Sequence, residues 1–143
     1  MVSPRRLIGL ALLVAVGSLT QVVPAAEPGL YEMRVYYSPE GKLDRLHARF
    51  RDHTMKLFAK HGMTNLVYWH RAEGSPHADR MLVYLLAHPS RDAAKASFDA
   101  FRQDPDWTAA KTASETKAGG SLTEAKDGVL SEFLVPTDYS PWK

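Results

Sequence analysis

The order of two sequence periodicities along the chain constrains the fold more than any single motif does. Short apolar, β-compatible runs alternate with longer segments in which apolar residues recur every three or four positions. The predicted strands are 30–37, 63–71, 80–88 and 129–135, and the predicted helices are 42–61 and 90–117, the second interrupted at 104–105. This β-α-β-β-α-β order is typical of an α+β, ferredoxin-like sheet of four strands with its helices on one face.

Local sequence signals set the ends of the predicted helices. Gly62 follows the first helix and suits the left-handed conformation that often ends a helix. Ser90 is predicted to cap the second helix. Because proline is favoured at the first helical position, Asp104 before Pro105 is predicted to cap a further helical segment, with Trp107 as its anchor.

The first predicted strand carries a row of polar side chains. Side chains alternate along a strand, so Glu32, Arg34 and Tyr36 share one face of the sheet. If Met33 and Val35 meet the helices, the polar row lies on the open face. An acid, a base and a phenol in a row require water, a polar cavity or a partner.

The middle strands are apolar on both faces. Tyr68 and His70 share one face of the second strand, whereas Val67 and Trp69 share the other. A sheet that is apolar on both faces must be covered on both. The simplest cover for the open face is a second copy of the chain, so we expect a homodimer that forms a dimeric α/β barrel.

Five short motifs occur in order through nearly the whole predicted domain. They are Tyr31-Glu32-Met33-Arg34-x-Tyr36, Gly41-Lys42-Leu43, Lys60-His61-Gly62, Trp69 and Phe101-Arg102-x-Asp104-Pro105-x-Trp107. Together they resemble the NIPSNAP family. The resemblance implies the dimeric α/β-barrel superfamily, which also contains small monooxygenases, haem-degrading enzymes, isomerases and stress-responsive barrels. It implies no single chemistry, because fold and function separate easily.

The first 25 residues are predicted to be a secretory signal peptide. Arg5 and Arg6 precede a short apolar run, and small residues favour cleavage after Ala25, with Ala26 as the second choice. The protein is therefore expected to be exported, as a periplasmic or secreted protein without stable membrane association after cleavage. The domain organisation is then 1–25 signal peptide, 26–29 linker, 30–137 NIPSNAP-like domain and 138–143 tail.

Composition excludes several functional classes. The chain has 18 Lys and Arg against 16 Asp and Glu, and Arg5 and Arg6 of the signal peptide account for the excess, so no nucleic-acid partner is expected. The absence of cysteine excludes disulfides, thiol catalysis and thiolate metal sites. His47, His53 and His61 lack the i, i+4 spacing of a helical metal site, so no metal is predicted.

Polar and aromatic side chains from three strands form the candidate ligand site. Its residues are Glu32, Arg34, Tyr36, Tyr68, His70 and Tyr84, with Trp107 as a candidate lid. In the functional interpretation, Arg34 anchors an anionic group, Glu32 accepts a proton and a tyrosine donates a hydrogen bond. In the structural interpretation, Glu32 and Arg34 form an ion pair that satisfies two charges in a dimer interface.

Three functional hypotheses stay open at the level of sequence. The first is an exported homodimeric barrel that binds a small molecule and needs no cofactor. The second is a cofactor-independent or haem-linked monooxygenase or isomerase, with His53 or His70 as the axial ligand in the haem variant. The third is a non-catalytic protein-interaction module. A closed cavity lined by Arg34, Tyr36, His70 and Tyr84 favours the first two.

Overall fold

A computed structural model describes residues 29–141, which contain one four-stranded sheet. The strands are β1 Leu30–Tyr37, β2 Thr64–His70, β3 Met81–His88 and β4 Val129–Leu134. Their order in the sheet is β2-β3-β1-β4, and every pairing is antiparallel. This topology confirms the predicted ferredoxin-like α+β fold. The predicted signal peptide, residues 1–25, lies outside the described residues.

The helices pack on one face of this sheet. They are α1 Leu43–Arg49, a π-helical segment Phe50–Thr54, α2 Met55–Lys60, α3 Arg91–Gln103 and α4 Pro105–Lys117. The first three run on without a break, so the single predicted helix contains a wider π turn that apolar spacing does not reveal. No helix within residues 29–141 is long and apolar enough to cross a membrane.

The predicted helix ends are confirmed by their hydrogen bonds and backbone angles. The Ser90 hydroxyl accepts a hydrogen bond from the Ala93 amide at 3.1 Å, which caps α3. Asp104 accepts a hydrogen bond from the Asp106 amide at 2.8 Å, which caps α4. Gly62 follows α2 with a φ of +78°, a conformation that glycine adopts without steric cost.

The helices cover the sheet face that carries the polar row of β1, so the expectation that this row lies on the open face is wrong. Glu32 lies opposite Leu86 of β3, and Arg34 lies opposite Tyr84. Both β3 residues are buried in the core between sheet and helices. The Arg34 guanidinium carbon is 4.4 Å from the ring centroid of Phe98 on α3. The row is accommodated there because its charges pair with each other.

The opposite face of the sheet is mainly apolar, and none of the described helices packs on it. By strand register its apolar residues are Tyr31, Met33, Val35, Val67, Trp69, Val83, Leu85, Ala87, Leu130 and Leu134, and the exposed Glu132 lies opposite Met33 on the same face. Trp69 is 50% exposed and Leu130 is 47% exposed. The middle strands thus carry apolar side chains on both faces, as predicted, and the exposed side chains of the open face mark it as a candidate interaction surface.

Candidate functional site

A cavity of about 210 Å³ lies between the sheet and the helices, where β1 and β4 run side by side. We call it the aromatic cavity. Its apolar and aromatic lining comprises Tyr36, Phe50, Phe58, Phe101, Trp107 and Val129. Its polar lining comprises Arg49, Thr54, Lys111, Glu115, Ser121 and Thr123. A mainly apolar wall with a few polar groups is the usual character of a small-molecule site.

Arg49 is the buried cation of the aromatic cavity. Its side chain is 3% exposed, and its guanidinium carbon lies 5.3 Å from the Trp107 ring centroid. Its Nη1 donates to Glu115 Oε1 at 3.3 Å, which is long for a charge-assisted hydrogen bond. Its Nε is buried without a hydrogen-bond partner among residues 29–141. Burial lowers the pKa of Arg49 although Glu115 opposes the shift, yet an arginine still keeps its proton.

Glu115 shares its carboxylate between two cations. Oε1 faces Arg49, and Oε2 accepts a hydrogen bond from Lys111 Nζ at 2.6 Å. Burial raises the pKa of Glu115, but Lys111 and Arg49 outweigh it and hold the pKa below its ordinary value. Because two cations face one carboxylate, the polar part of the wall carries a net positive charge.

The π turn brings Arg49, Phe50 and Thr54 to the same cavity. Arg49 ends α1, and Phe50 and Thr54 are the ends of the π-helical segment. The Thr54 hydroxyl donates to the Arg49 carbonyl oxygen at 3.2 Å, across the five-residue step of the wider turn. Such turns occur frequently at functional sites. Arg49 was not predicted from the sequence to be a site residue. Its position could have indicated this role, because it follows Leu46 by three residues and so places a cation inside the apolar stripe of the helix.

Three of the predicted tyrosines meet around Phe50. The Phe50 ring centroid lies 5.6 Å from that of Tyr36, 5.8 Å from that of Tyr68 and 5.2 Å from that of Tyr84. Burial raises the pKa of Tyr68 and of Tyr84, and Tyr36 adds to both shifts. Tyr68 and Tyr84 therefore stay protonated at neutral pH. Of the three, Tyr36 lines the aromatic cavity.

His70 lies apart from the aromatic cavity, on the edge strand β2. Together with Tyr68 and His47 it lines a separate depression of about 230 Å³, which Phe50 also borders. The His47 and His70 ring centroids are 6.1 Å apart, and burial followed by the charge of His70 lowers the pKa of His47. The structure therefore does not bring His70 and Tyr36 into one cavity.

Glu32 and Arg34 belong to a buried network inside the protomer. The Glu32 carboxylate accepts hydrogen bonds from Arg34 at 2.7 Å, from His88 at 2.9 Å and from Ser131. Burial raises the pKa of Glu32, but the hydrogen bonds from His88 and Ser131 and the charge of Arg34 bring it below its ordinary value. Neither Glu32 nor Arg34 lines the aromatic cavity. The interpretation that their ion pair joins two chains is wrong, because both partners lie beneath the helices of one chain.

Trp107 forms part of the cavity wall on α4. Its ring centroid lies 4.5 Å from that of Phe101. The start of α4 is fixed by Asp104, whose carboxylate lies 2.7 Å from Lys60 Nζ and 2.6 Å from His61 Nε2. Hydrogen bonds from Lys60 and His61 hold the pKa of Asp104 well below its usual range. The lid role of Trp107 stays a prediction.

The predicted haem ligands do not face the aromatic cavity. His53 lines a groove between α2 and α4, and His70 lines the depression beside β2. The cavity, at about 210 Å³, is also smaller than the clefts that hold drug-sized ligands. A haem in the aromatic cavity would therefore have neither histidine beside it, and the haem variant stays a prediction. Within residues 29–141, no group of three His, Asp or Glu side chains could hold a metal ion.

The sheet order and the one-sided helix layer define a small ferredoxin-like α+β domain. The NIPSNAP family model matches residues 31–141. The chain belongs to the NIPSNAP family, which is part of the dimeric α/β-barrel superfamily. The predicted family resemblance is confirmed.

Solved NIPSNAP structures share this fold. A family protein of unknown function from Agrobacterium tumefaciens, Atu4242, is 18% identical with a TM-score of 0.63, over 80% of this chain and 93% of that chain. A second A. tumefaciens family protein, Atu5224, is 20% identical with a TM-score of 0.63, over 80% and 98%. An uncharacterized NIPSNAP domain protein from Burkholderia xenovorans is 21% identical with a TM-score of 0.61, over 78% and 98%. These identities establish the fold alone. No protein of curated function matches the chain.

Proposed function

We propose that this protein is an exported homodimer that binds a small molecule in the aromatic cavity of each protomer. The observation that carries the proposal is Arg49, which lines the cavity, is almost completely buried and leaves its Nε without a partner among the described residues. A buried polar group without a partner costs about 1–3 kcal/mol, and a charged one costs more. A ligand that accepts a hydrogen bond from Arg49 offsets that cost. The oxygenase or isomerase hypothesis and the interaction-module hypothesis stay predictions.

The open sheet face supports the homodimer. Trp69 and Leu130 are about half exposed on it, at 50% and 47%, and its other residues are apolar apart from Glu132 and the strand-end Thr64. A contiguous apolar patch of this kind usually marks an interaction surface. A two-fold axis brings the same patch of two copies together. A second chain would therefore cover the open face of the first with its own open face.

The N-terminal sequence supports export. Arg5 and Arg6 are followed by an apolar run and by small residues up to Ala26. Mass spectrometry of the protein recovered from the periplasm or medium is expected to find Ala26 or Glu27 as the first residue. An intact Met1 on protein confined to the cytoplasm would contradict export.

Native mass spectrometry of the mature protein tests ligand binding. We expect the mass of a dimer with a small molecule bound, which is released on denaturation. Val129→Phe replaces an isopropyl group in the cavity wall with a phenyl ring, which fills part of the cavity. We expect this variant to show no added mass. Val135→Phe is the matched control, since Val135 is 71% exposed and does not line the cavity. Equal added mass on wild type and Val129→Phe, or no added mass on the wild type, would count against the proposal.

A further inference from the structure

We propose that the aromatic cavity binds a small monoanion that consists of one aromatic ring and one carboxylate, with Arg49 as the anchor of the carboxylate. The inference rests on the proposed function and specifies the ligand class of the same cavity. It follows from three properties of the cavity: the sign and burial of its charge, the donor geometry of Arg49, and the shape of its wall.

The charge of the wall favours a ligand with one negative charge. Arg49 and Lys111 face the single carboxylate of Glu115. The Lys111 side chain is 50% exposed, so water solvates its charge, whereas the Arg49 side chain is 3% exposed. The charge left without compensation is therefore the buried one. Its ion pair with Glu115 is long and is shared with Lys111, so an anionic ligand would compensate the buried charge further than a neutral one would.

The donors of Arg49 suit a carboxylate. Its contact with Glu115 is a single long one of 3.3 Å, and Nε is unpartnered among residues 29–141. Nε and a neighbouring Nη of a guanidinium form a parallel pair of N–H donors that matches the two oxygens of a carboxylate. Arg49, which is one of the residues that line the cavity, thus has the donors for a carboxylate.

The wall favours a flat ligand. Its ring residues are Tyr36, Phe50, Phe58, Phe101 and Trp107. Aromatic rings pack well against one another when they are offset or edge to face. The cavity of about 210 Å³ corresponds to roughly seven water molecules at about 30 Å³ each, so it holds a single substituted ring and not a large polycyclic molecule.

Benzoate and benzamide are suitable probes because they have nearly the same shape, while only benzoate carries a negative charge. Isothermal titration calorimetry of the mature wild-type protein is expected to show benzoate binding at least about tenfold more tightly than the neutral benzamide. In a Trp69→Phe/Trp142→Phe background, Trp107 is the remaining tryptophan, and its fluorescence is expected to change on benzoate addition.

A paired substitution tests the anchor without leaving a buried charge unpaired. Arg49→Gln/Glu115→Gln removes the buried guanidinium and the carboxylate that faces it, and the remaining Lys111 is half exposed, so the fold is expected to survive in a thermal melt. Benzoate affinity is expected to fall at least about tenfold, to the level of benzamide, whose affinity is expected to stay the same. Arg51→Gln is the matched control, since Arg51 is exposed on the same helix and does not line the cavity.

The outcomes distinguish this inference from the proposed function. Equal wild-type affinity for benzoate and benzamide would overturn the ligand class but leave a binding cavity. Benzoate affinity that survives the paired substitution would overturn the role of Arg49. If neither probe binds at millimolar concentration, the ligand class is wrong, and native mass spectrometry of the co-purified protein decides the proposed function separately.

Discussion

The two buried arginines beneath the helices are held in different ways. Arg34 has a short ion pair with Glu32 of 2.7 Å, whereas the contact of Arg49 with Glu115 measures 3.3 Å. Both leave Nε without a partner among the described residues, but Arg49 is the one that lines the aromatic cavity. Burial lowers the pKa of both, but Tyr84, Tyr36 and Glu32 outweigh burial at Arg34 and raise its pKa, whereas burial outweighs Glu115 at Arg49. Arg34 is therefore the more strongly paired of the two, and Arg49 is the proposed ligand anchor.

The buried carboxylate of Glu32 is expected to contribute strongly to stability. Glu32→Gln removes the charge that Arg34, His88 and Ser131 face, so the free energy of unfolding at pH 7 is expected to fall by about 3–5 kcal/mol. Urea unfolding followed by circular dichroism measures this. Glu73→Gln in the exposed β2–β3 loop is the control and is expected to change little.

Glu32 also has a predictable effect on the pH dependence of stability. Its pKa is lower in the folded than in the unfolded chain, so its stabilising effect is complete above the unfolded pKa and is lost as pH falls through the folded pKa. Wild-type stability is expected to fall more steeply below about pH 5 than that of Glu32→Gln. Parallel slopes in acid for the two proteins would contradict the assigned network.

At the scale of elements, the start of α4 determines where one side of the cavity wall lies. Trp107, Lys111 and Glu115 are all on α4, and Asp104 holds its first turn through a backbone cap and through Lys60 and His61 of the helix before β2. A carboxylate at a helix N-terminus also interacts favourably with the helix dipole. Asp104 thus connects the start of α4 to the end of α2.

Two substitutions of Asp104 are expected to lower the thermal stability to different extents. Asp104→Asn keeps a cap oxygen but loses the charge, whereas Asp104→Ala loses both, so the Tm is expected to fall by several degrees for Asn and further for Ala. Asp99→Ala removes exposed helix-surface ion pairs and is the control. Thermal melts followed by circular dichroism measure the effect. An Asp104→Ala melt that matches Asp99→Ala would contradict the cap.

Sequence patterns predict the elements and their caps better than they predict the site. Ser90, Asp104 and Gly62 have local signatures, so their roles are readable without a structure. The π turn at Phe50 has no such signature, because it depends on packing around the helix. In the sequence, Arg49 is a single charged residue in an apolar stripe, and only the structure shows that it lines a cavity.

At the scale of the whole molecule, the open sheet face is the surface through which we propose that two copies assemble. The sequence could not tell which face the helices cover, because both faces of the middle strands are apolar. Packing resolves the ambiguity: the bulky core formed with Tyr84 lies beneath the helices, and the smaller Val83 and Leu85 lie on the other side. The polar row that seemed to belong to an interface is therefore internal, and the face proposed for the second copy is mainly apolar.

A charge in the middle of the open face is expected to prevent dimer formation. Val83 pairs with Val35 on the two central strands, so Val83→Lys places an ammonium group where the second copy packs. Size-exclusion chromatography with light scattering is expected to give a dimer for the wild type and a monomer for the variant. Ala109→Lys, at an exposed position of α4, is the control and should stay dimeric. A monomeric wild type at micromolar concentration would contradict the proposal.

A crystal structure of the mature protein grown with benzoate tests the account most directly, because it locates the ligand and the second chain together. We expect one benzoate per protomer in the aromatic cavity, with its carboxylate on Arg49 and its ring beside Trp107, and a second copy on the open face. Benzoate bound on the open face, or a cavity closed by side chains in a monomeric protein, would contradict the account.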